Sequence, residues 1–395
     1  MILVYGTIMG FALGQELVTE GETSSEVKAE ERVVDSEPMI EDDAEDDEEI
    51  AEAKIAEREE EGKKELEILR ENLSSVELKE DVGLVYTYAF AEGQYNAHLG
   101  KEYDLQTPFE IGSVSKVFTS LLLADMVARG EVSLDTTVGE ILPDQKMRTE
   151  VAAITLEQLA THTSGLPRMP PNLGTMYILR HAKNPYAEYD RKKLHKGLSR
   201  AKITEEGFAY SNFGAGLLGD LLSMKAGKSY CTLVEERIVS QMNVDSLHCS
   251  NIPENIAQPH LWTGDENPVW EFGSLAGAGA LRANSEDLSL FLGYIDVNFP
   301  EGDLFGEGFT NTLKTHYKDA GSEVGLGWMI IDVEGMRCYF HNGMTGGSSS
   351  FVASCPDQEF GVVLLMNQQD LKMTLTEAGL NSVKELVQLY ENEDE

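Results

Sequence analysis

FEIGSVSKVFTSLLLADMVARG, residues 109–130, sets the expectations for the whole chain. The run after Lys116 is apolar almost all round, which predicts a buried helix that stops at Gly130. Ser113 and Lys116 are three residues apart at the start of this helix, so the hydroxyl and the ammonium share one face. A helix N-terminus also supplies backbone N–H groups where an oxyanion would form. Ser113 is therefore a candidate nucleophile, with Lys116 as its partner.

The Ser-x-x-Lys pattern is weak evidence by itself, because a chain of this composition yields about one match by chance. Ser25–Lys28 and Ser199–Lys202 also match. Neither of these opens an apolar helix, so only the serine at 113 has the context that nucleophilic catalysis needs. The alternative is an N-cap serine followed by a lysine that extends to solvent.

A second candidate segment is Tyr210-Ser211-Asn212, at the entry to another apolar helix. A phenol has a pKa near ~10, but a neighbouring ammonium favours the phenolate and would make Tyr210 a useful base. The Asn212 amide offers a donor and an acceptor, which could orient Lys116 and a substrate amide. A buried tyrosine at a helix start is the alternative.

The third segment is His341-Asn342-Gly343, at the end of a predicted strand and followed by Met344. Glycine lets a strand approach a substrate closely, and the Met344 N–H could complete an oxyanion hole with the Ser113 N–H. The segment lacks the Lys-Ser/Thr ending of a phosphate loop, so nucleotide binding is not expected. No metal site is predicted, because the spaced pairs stand alone (His98–Glu102, Asp245–His248 and His316–Asp319). His162 and His260 are expected to be structural.

The segments around these motifs predict one sheet built from both chain ends. Residues 83–90 and 94–99 resemble a hairpin, and four β-like runs near the C-terminus form a meander before an amphipathic helix from Thr374 to Tyr390. The middle, about 131–300, is expected to be a helical insertion. A further helix before residue 73 should dock through Leu66, Leu69 and Leu73.

The composition is that of a folded protein with an acidic surface. The 395 residues include 69 acidic and 31 basic side chains, for a formal charge of −38, and 42% are hydrophobic. Phosphate binding depends on clustered Lys and Arg, so nucleic acid is not an expected partner. The longest mostly apolar run, residues 2–13, is shorter than the ~20 residues of a spanning helix, so no transmembrane segment is expected.

The N-terminal residues and the cysteines bear on localisation. Residues 1–14 resemble a signal peptide without its basic start, and residues 15–52 form an acidic segment that we expect to be a disordered tail. The folded domain is expected at 53–393. The four cysteines could form one or two disulfides or remain free thiols (Cys231, Cys249, Cys338 and Cys355). Cys338 and Cys355 flank one turn on strands expected to pair, which predicts a cross-strand disulfide. We expect a secreted or periplasmic protein.

Taken in order, Ser-x-x-Lys, Tyr-x-Asn and His-x-Gly resemble the motifs of the serine β-lactamase and D-Ala-D-Ala peptidase superfamily, in its class C-like branch. The phrases around them are also similar to segments of that family: FEIGSVSKVFT, LATHTSGLP, FAYSNFGAGLLGDLL, LAGAGALRANSEDLSLFL and HNGMTGGSSSFVA. The likeness covers much of 80–370, and its specificity comes from five phrases in one order.

The resemblance implies an α/β (α+β) fold, with an antiparallel sheet flanked by helices, a mostly helical lobe, and the active site between them. It also implies that Ser113 attacks a carbonyl, that Lys116 and Tyr210 handle its proton, and that Asn212 positions the acyl side. The oxyanion would be held by the N–H groups of Ser113 and Met344. Two-step acyl transfer of this kind needs no cofactor or metal.

One departure concerns the substrate. Where class C β-lactamases carry Lys-Thr-Gly, this chain has His341-Asn342-Gly343 as its substrate-binding strand, and a histidine is mostly neutral at pH 7. The site thus loses a charge that would attract a substrate carboxylate. The first hypothesis is a serine hydrolase acting on β-lactams or D-Ala peptides. The alternatives are a carboxylesterase using the same site and a non-catalytic penicillin-binding-like module. No obligate protein partner is evident.

Overall fold

The computed structural model describes residues 62–393, apart from residues 91, 92, 175, 176, 178, 179, 243 and 245. The expected signal peptide (1–14) and acidic tail (15–52) lie outside the described residues, and so does the start of the expected domain at 53. Within the described part, no helix is long and apolar enough to cross a bilayer.

Ten strands in the described residues form two sheets. They are β1 (Gly83–Phe90), β2 (Gly93–Gly100), β3 (Phe109–Glu110), β4 (Arg282–Ala283), β5 (Tyr317–Lys318), β6 (Glu323–Val324), β7 (Met329–Val333), β8 (Met336–Met344), β9 (Ser349–Cys355) and β10 (Phe360–Met366). The large sheet is antiparallel in the order β2-β1-β10-β9-β8-β7-β6-β5, and β3 pairs with β4. Because β1 pairs with β10, the prediction of one sheet assembled from both chain ends is confirmed.

Helices flank the sheet and fill the middle of the chain. They are α1 (62–73), α2 (Ser115–Ala128), α3 (Val138–Ile141), α4 (Thr149–Ala152), α5 (Leu156–Ala160), α6 (Arg191–Leu198), α7 (Asn212–Ala226), α8 (Tyr230–Val234), α9 (Ser240–Met242), α10 (Ser285–Gly293), α11 (Leu304–Leu313) and α12 (Thr374–Glu393). Helices α3 to α9 follow one another between β3 and β4. Helix α10, from the same middle stretch, instead packs on β1 and β10.

Each face of the large sheet has its own hydrophobic core. Along β1, Val85 belongs to the core shared with the middle helices, whereas Leu84 and Tyr86 belong to the core under α1 and α12. This alternation is the period of two that a strand imposes. Leu69 and Leu73 are buried in the second core, as the spacing in α1 predicted. Since both faces are covered, the central strands are apolar almost throughout.

Helix α2 is buried between α7 and α11. Its residues Ser115–Met126 are all buried, as its apolar sequence predicted, and Phe118 contacts Phe291 of α10 at 4.5 Å between ring centroids. We expected the α-helix to begin at Ser113. Instead, Gly112–Val114 form a 3-10 turn that leads directly into α2.

The four cysteines are paired. Cys338 of β8 bonds Cys355 of β9, on strands that run antiparallel as expected. Cys231 bonds Cys249. The first bond ties together the two strands next to the candidate nucleophile, and the second joins α8 to the segment before β4.

Candidate active site

Ser113 sits where the entry to α2 meets the end of β8. Gly112 has φ +49°, and a Cβ there would lie 2.7 Å from Met344 N, so only glycine permits this approach. The Ile111 carbonyl accepts a hydrogen bond from Ser350 Oγ at 2.8 Å. These contacts fix Ser113 beside Met344, as an oxyanion hole from their two N–H groups would require.

Lys116 reaches both Ser113 and the main chain of a neighbouring 3-10 helix, Gly273–Ala278. Its Nζ lies 2.8 Å from Ser113 Oγ and donates to the Ala278 carbonyl at 2.7 Å. The side chain is 2% exposed, and this burial, together with the charge of Arg168, lowers the pKa of Lys116 well below its usual range. A neutral amine keeps one lone pair, so Lys116 can accept the Ser113 proton.

Tyr210 is a phenol in this site. Burial raises the pKa of Tyr210 to about 12, against a hydrogen bond with the Ser113 side chain and the charge of Arg168. Lys116 Nζ lies 4.9 Å from the centroid of the Tyr210 ring. The sequence led us to expect that an ammonium would favour the phenolate. That expectation is wrong, because burial favours the uncharged form of both groups, and Tyr210 can donate a proton at neutral pH.

His162 holds Tyr210 in place. The two rings lie 4.4 Å apart between centroids, and His162 Nδ1 accepts the Ser211 N–H at 3.2 Å. The His162 carbonyl accepts the Ala209 N–H at 2.7 Å. Burial lowers the pKa of His162 well below its usual range, so the ring remains neutral. We expected a structural histidine, but no sequence pattern indicated that it packs against Tyr210.

Asn212 faces the cleft without bonding Lys116. Its Nδ2 lies 3.8 Å from Met169 Sδ, and its Oδ1 is buried with no hydrogen-bond partner among the described residues. We expected the Asn212 amide to orient Lys116, but Ser113 and Ala278 do so. The unpartnered oxygen can instead accept an N–H from a ligand.

The end of β8 divides its residues between two faces of the sheet. His341 is 2% exposed, and its Nδ1 bonds the Asn342 carbonyl at 2.7 Å. Burial lowers the pKa of His341 to about 3, so the imidazole is neutral. A Cβ on Gly343 would lie 2.0 Å from the Ile111 carbonyl oxygen, which explains the glycine.

Asn342 does not belong to the site through its side chain. Its Nδ2 donates to Thr376 Oγ1 of α12 at 3.0 Å, on the opposite face of the sheet. Successive strand residues point to opposite faces, so a strand that directs His341 into the cleft directs its neighbour away from it. The expectation of a substrate-binding Asn342 side chain is therefore wrong.

Glu110 lies beneath the site and was not singled out from the sequence. Its carboxylate accepts hydrogen bonds from the Trp270 N–H at 2.6 Å, from Thr345 Oγ1 at 2.9 Å and from Ser348 Oγ at 3.3 Å. Burial raises the pKa of Glu110 to about 7, against these hydrogen bonds and the charge of Arg282. Glu110 thereby joins the segment before Ser113 to the turn that follows β8.

One side of the cleft is an aromatic wall that no sequence motif predicted. Tyr186, Trp270 and Phe272 line the cleft together with Ser113 and Asn212. The Tyr186 ring stacks on Phe272 at 5.2 Å and meets Trp270 edge-on at 5.3 Å between centroids. These residues come from two separate loops, and no spacing in the chain links them.

The spaced pairs weighed as metal ligands have other surroundings. His316 Nδ1 lies 2.7 Å from Glu157 Oε1, and Asp319 accepts a hydrogen bond from the Tyr317 hydroxyl. Asp245 lies outside the described residues. In the part of the chain that the structure describes, no group of three or more His, Cys, Asp or Glu side chains could hold a metal ion.

Comparisons with known proteins agree with this architecture. The family model described as Beta-lactamase matches residues 81–381. A beta-lactamase of Escherichia coli K12 is 24% identical over 320 residues, covering 71% of this chain and 81% of that protein. The D-alanyl-D-alanine-carboxypeptidase/endopeptidase AmpH of the same strain is 24% identical over 285 residues, covering 68% and 72%.

The solved structures show the same fold at lower identity. A class C beta lactamase from Rhodobacter sphaeroides superposes with a TM-score of 0.70 at 20% identity, covering 81% of this chain and 99% of that one. At this identity the likeness concerns the fold alone. An antiparallel sheet flanked by helices, with a helical middle, is thus shared.

Proposed function

Because this chain belongs to the beta-lactamase family, we propose that it is a serine hydrolase that forms an acyl-enzyme on Ser113. The proposed substrates are cyclic or peptide amides of the β-lactam or D-Ala peptide type, which the names of both E. coli relatives support. The observation that carries the proposal is the 2.8 Å contact between Lys116 Nζ and Ser113 Oγ in a buried site.

In the proposed acylation step, Ser113 Oγ attacks the substrate carbonyl carbon while its proton passes to the neutral amine of Lys116. The N–H groups of Ser113 and Met344 hold the developing oxyanion. When the bond to the leaving group breaks, the Tyr210 phenol protonates the leaving nitrogen or oxygen. The Lys116 ammonium then returns a proton to Tyr210, so both groups end in their starting forms.

In deacylation, a water molecule attacks the ester on Ser113. One water proton passes through the same pair, Tyr210 and Lys116, and reaches Ser113 Oγ as the acyl bond breaks. The product leaves as a carboxylic acid. Every step uses groups of this chain and water alone.

The substrate is oriented by groups on both sides of Ser113 in this proposal. The unpartnered Oδ1 of Asn212 accepts an N–H from the acyl part. His341 and Gly343 border the leaving-group side on β8. A neutral His341 attracts a substrate carboxylate weakly, and this observation favours the second candidate function, carboxylester hydrolysis. The third, a non-catalytic binding module, is less consistent with the Lys116 contact.

We also propose a secreted or periplasmic location. Its support is the pairing of all four cysteines, since disulfides persist mainly in oxidising compartments. Cell fractionation, followed by intact-mass analysis of the protein with and without reductant, tests this. Protein found in the cytosolic fraction with four free thiols would contradict it.

The proposed function is tested by intact-mass analysis after incubation with a fluorophosphonate and, separately, with a penicillin. Ser113→Ala is compared with wild type and with Ser199→Ala, which removes the serine of another Ser-x-x-Lys match. We expect a fluorophosphonate adduct on wild type and Ser199→Ala, and none on Ser113→Ala. We also expect penicillin turnover to fall by about 10³-fold or more in Ser113→Ala.

The remaining outcomes separate the candidates. Fluorophosphonate labelling together with penicillin acylation or turnover supports the amide hydrolase. Labelling by the fluorophosphonate alone, with turnover of simple esters, would make the carboxylesterase the better description. Absence of both adducts from folded wild-type protein would contradict an activated serine and favour the binding module.

A further inference from the structure

Arg168 is a charged side chain that lies beside Tyr210 of the site. Its side chain is exposed, and the guanidinium carbon is 5.1 Å from the centroid of the Tyr210 ring. No carboxylate of the described residues forms an ion pair with it. In a chain with a formal charge of −38, an arginine without an acidic partner at a catalytic cleft indicates a place for an anion.

The charge of Arg168 affects the pKa values of three side chains in the site. It is one of the causes that lower the pKa of Lys116 and of His162, and it also acts on Tyr210. Lys116 and His162 are buried, and burial favours their neutral forms. A guanidinium remains protonated at any working pH, so Arg168 supplies a permanent positive charge where its neighbours do not.

The backbone fixes Arg168 on one side of Ser113. Its carbonyl accepts the Phe213 N–H at 3.2 Å, at the start of α7. The next residue, Met169, places its Sδ 3.8 Å from Asn212 Nδ2. Arg168 is therefore beside Asn212, which in the proposed function contacts the acyl part of the substrate.

We propose that Arg168 binds a carboxylate carried by the acyl part of the substrate, so that the enzyme selects acidic acyl groups. This inference rests on the proposed function, because the acyl side is defined by Ser113 and Asn212. A planar guanidinium suits a carboxylate, since it can donate two parallel hydrogen bonds. The anion would contact the guanidinium N–H groups of this exposed side chain.

The test uses substrate pairs that differ by one carboxylate on the acyl group. Carbenicillin is compared with benzylpenicillin, and 4-nitrophenyl hemisuccinate with 4-nitrophenyl butyrate. The variants are Arg168→Gln, which removes the charge, and Arg168→Lys, which keeps it. Arg200→Gln removes the same charge from an exposed arginine elsewhere on the surface and serves as the matched control.

For wild type and Arg200→Gln, we expect kcat/KM to favour the acidic member of a turned-over pair by about tenfold, as expected of one charge-assisted contact. In Arg168→Gln the preference should fall to within twofold, through a higher KM for the acidic member alone. Arg168→Lys should keep part of it, and the wild-type preference should weaken as salt rises.

Two results would overturn the inference. An equal loss of kcat on both members of a pair would make Arg168 a positioning residue for Tyr210. A preference that is absent from wild type, or unchanged in Arg168→Gln, would remove the proposed subsite. Failure of the proposed function is distinct, since it is the absence of a fluorophosphonate adduct on Ser113 in all of these proteins.

Discussion

Lys116 and Arg168 approach the same ring, with Lys116 Nζ at 4.9 Å and Arg168 Cζ at 5.1 Å from the centroid of Tyr210. Lys116 is 2% exposed and belongs to the floor of the cleft, which we define as Lys116, His162, Tyr210 and His341. Arg168 is exposed and forms the rim. Burial lowers the pKa of Lys116 well below its usual range, while the rim keeps its charge.

One cleft can thus hold two kinds of basic group, a buried amine and an exposed guanidinium, for two tasks. A general base must be free of its proton at the working pH, and removing an amine from water achieves this. Recognition of an anion needs a group that never loses its proton, and guanidinium is that group. A guanidinium in the buried position of Lys116 would keep its proton and could not act as the base.

The largest effect is expected from Lys116→Met, which removes the amine from the floor of the cleft. Methionine fills a similar volume without an amine, so Ser113 loses its proton acceptor and kcat should fall by about 10³-fold or more. Substrate KM should change little, because the rim is intact. Steady-state kinetics on the substrate found for wild type measure both quantities.

Lys225→Met, at an exposed position of α7, is the matched control and should retain full activity. The folded state favours the neutral amine of Lys116, whereas the unfolded chain binds a proton there. Wild-type stability should thus gain with rising pH from this group, and Lys116→Met should lack that gain. A Lys116→Met variant that keeps more than a tenth of wild-type kcat would show that another group is the base.

Much of the site could be predicted from sequence because most of its residues stand in short motifs on predicted helices and strands. Ser113 and Lys116 are within one turn, and Tyr210 and Asn212 open α7. The fold followed equally from local patterns, such as the hairpin of β1 and β2. Asn342 could have been excluded in the same way, from strand alternation with His341.

The remainder depends on contacts between distant segments. The 3-10 turn at Ser113 exists because Gly112 packs on Met344, more than two hundred residues later in the chain. The Tyr210 pKa is raised because the side chain is buried in the fold, and no local sequence pattern predicts that burial. The residues next to Glu110 and Arg168 in sequence form no recognisable motif. Only the fold buries Glu110 and leaves Arg168 exposed beside Tyr210.

A smaller effect is expected from His162→Ala, which tests whether the floor needs its support. The variant leaves the Ser211 N–H without its acceptor and removes the ring beside Tyr210, so kcat should fall about tenfold, with KM within twofold. His162→Asn offers an oxygen near the position of Nδ1 and tolerates the left-handed backbone, φ +59°, so it should restore most of the activity.

His260→Ala separates loss of stability from loss of position. His260 is also buried, and its Nδ1 contacts Asn367 rather than Tyr210. Melting temperatures should fall for both alanine variants, but kcat only for His162→Ala. Equal losses of kcat in the two variants, or no rescue by asparagine, would reduce His162 to a packing residue.

The smallest effect on activity is expected from Glu110→Gln, which tests which buried group changes charge near neutral pH. The pKa of Glu110 is about 7 in the folded protein against 4.5 for an ordinary glutamate. Its favourable contribution to stability is therefore complete below pH 4.5 and is lost as pH rises through about 7, a change on the order of 3 kcal/mol. Urea unfolding between pH 5 and 8.5 should show this loss in wild type.

Glutamine imitates the protonated acid, since its oxygen can accept the Trp270 N–H while its amide donates to the Thr345 hydroxyl, which can rotate to accept. Glu110→Gln should therefore remove the pH dependence of stability around pH 7. In wild type we also expect kcat to change two- to threefold over the same pH range, because Thr345, which bonds Glu110, follows Met344 of the proposed oxyanion hole. Glu110→Gln should remove this change of kcat as well. Arg168→Gln should leave the inflection near pH 7 in place, since the Arg168 charge is not among the causes that set the pKa of Glu110. If Glu110→Gln keeps the wild-type inflection, a different buried group changes charge near neutrality; were that group one of the floor, the division between an uncharged floor and a charged rim would have to be redrawn.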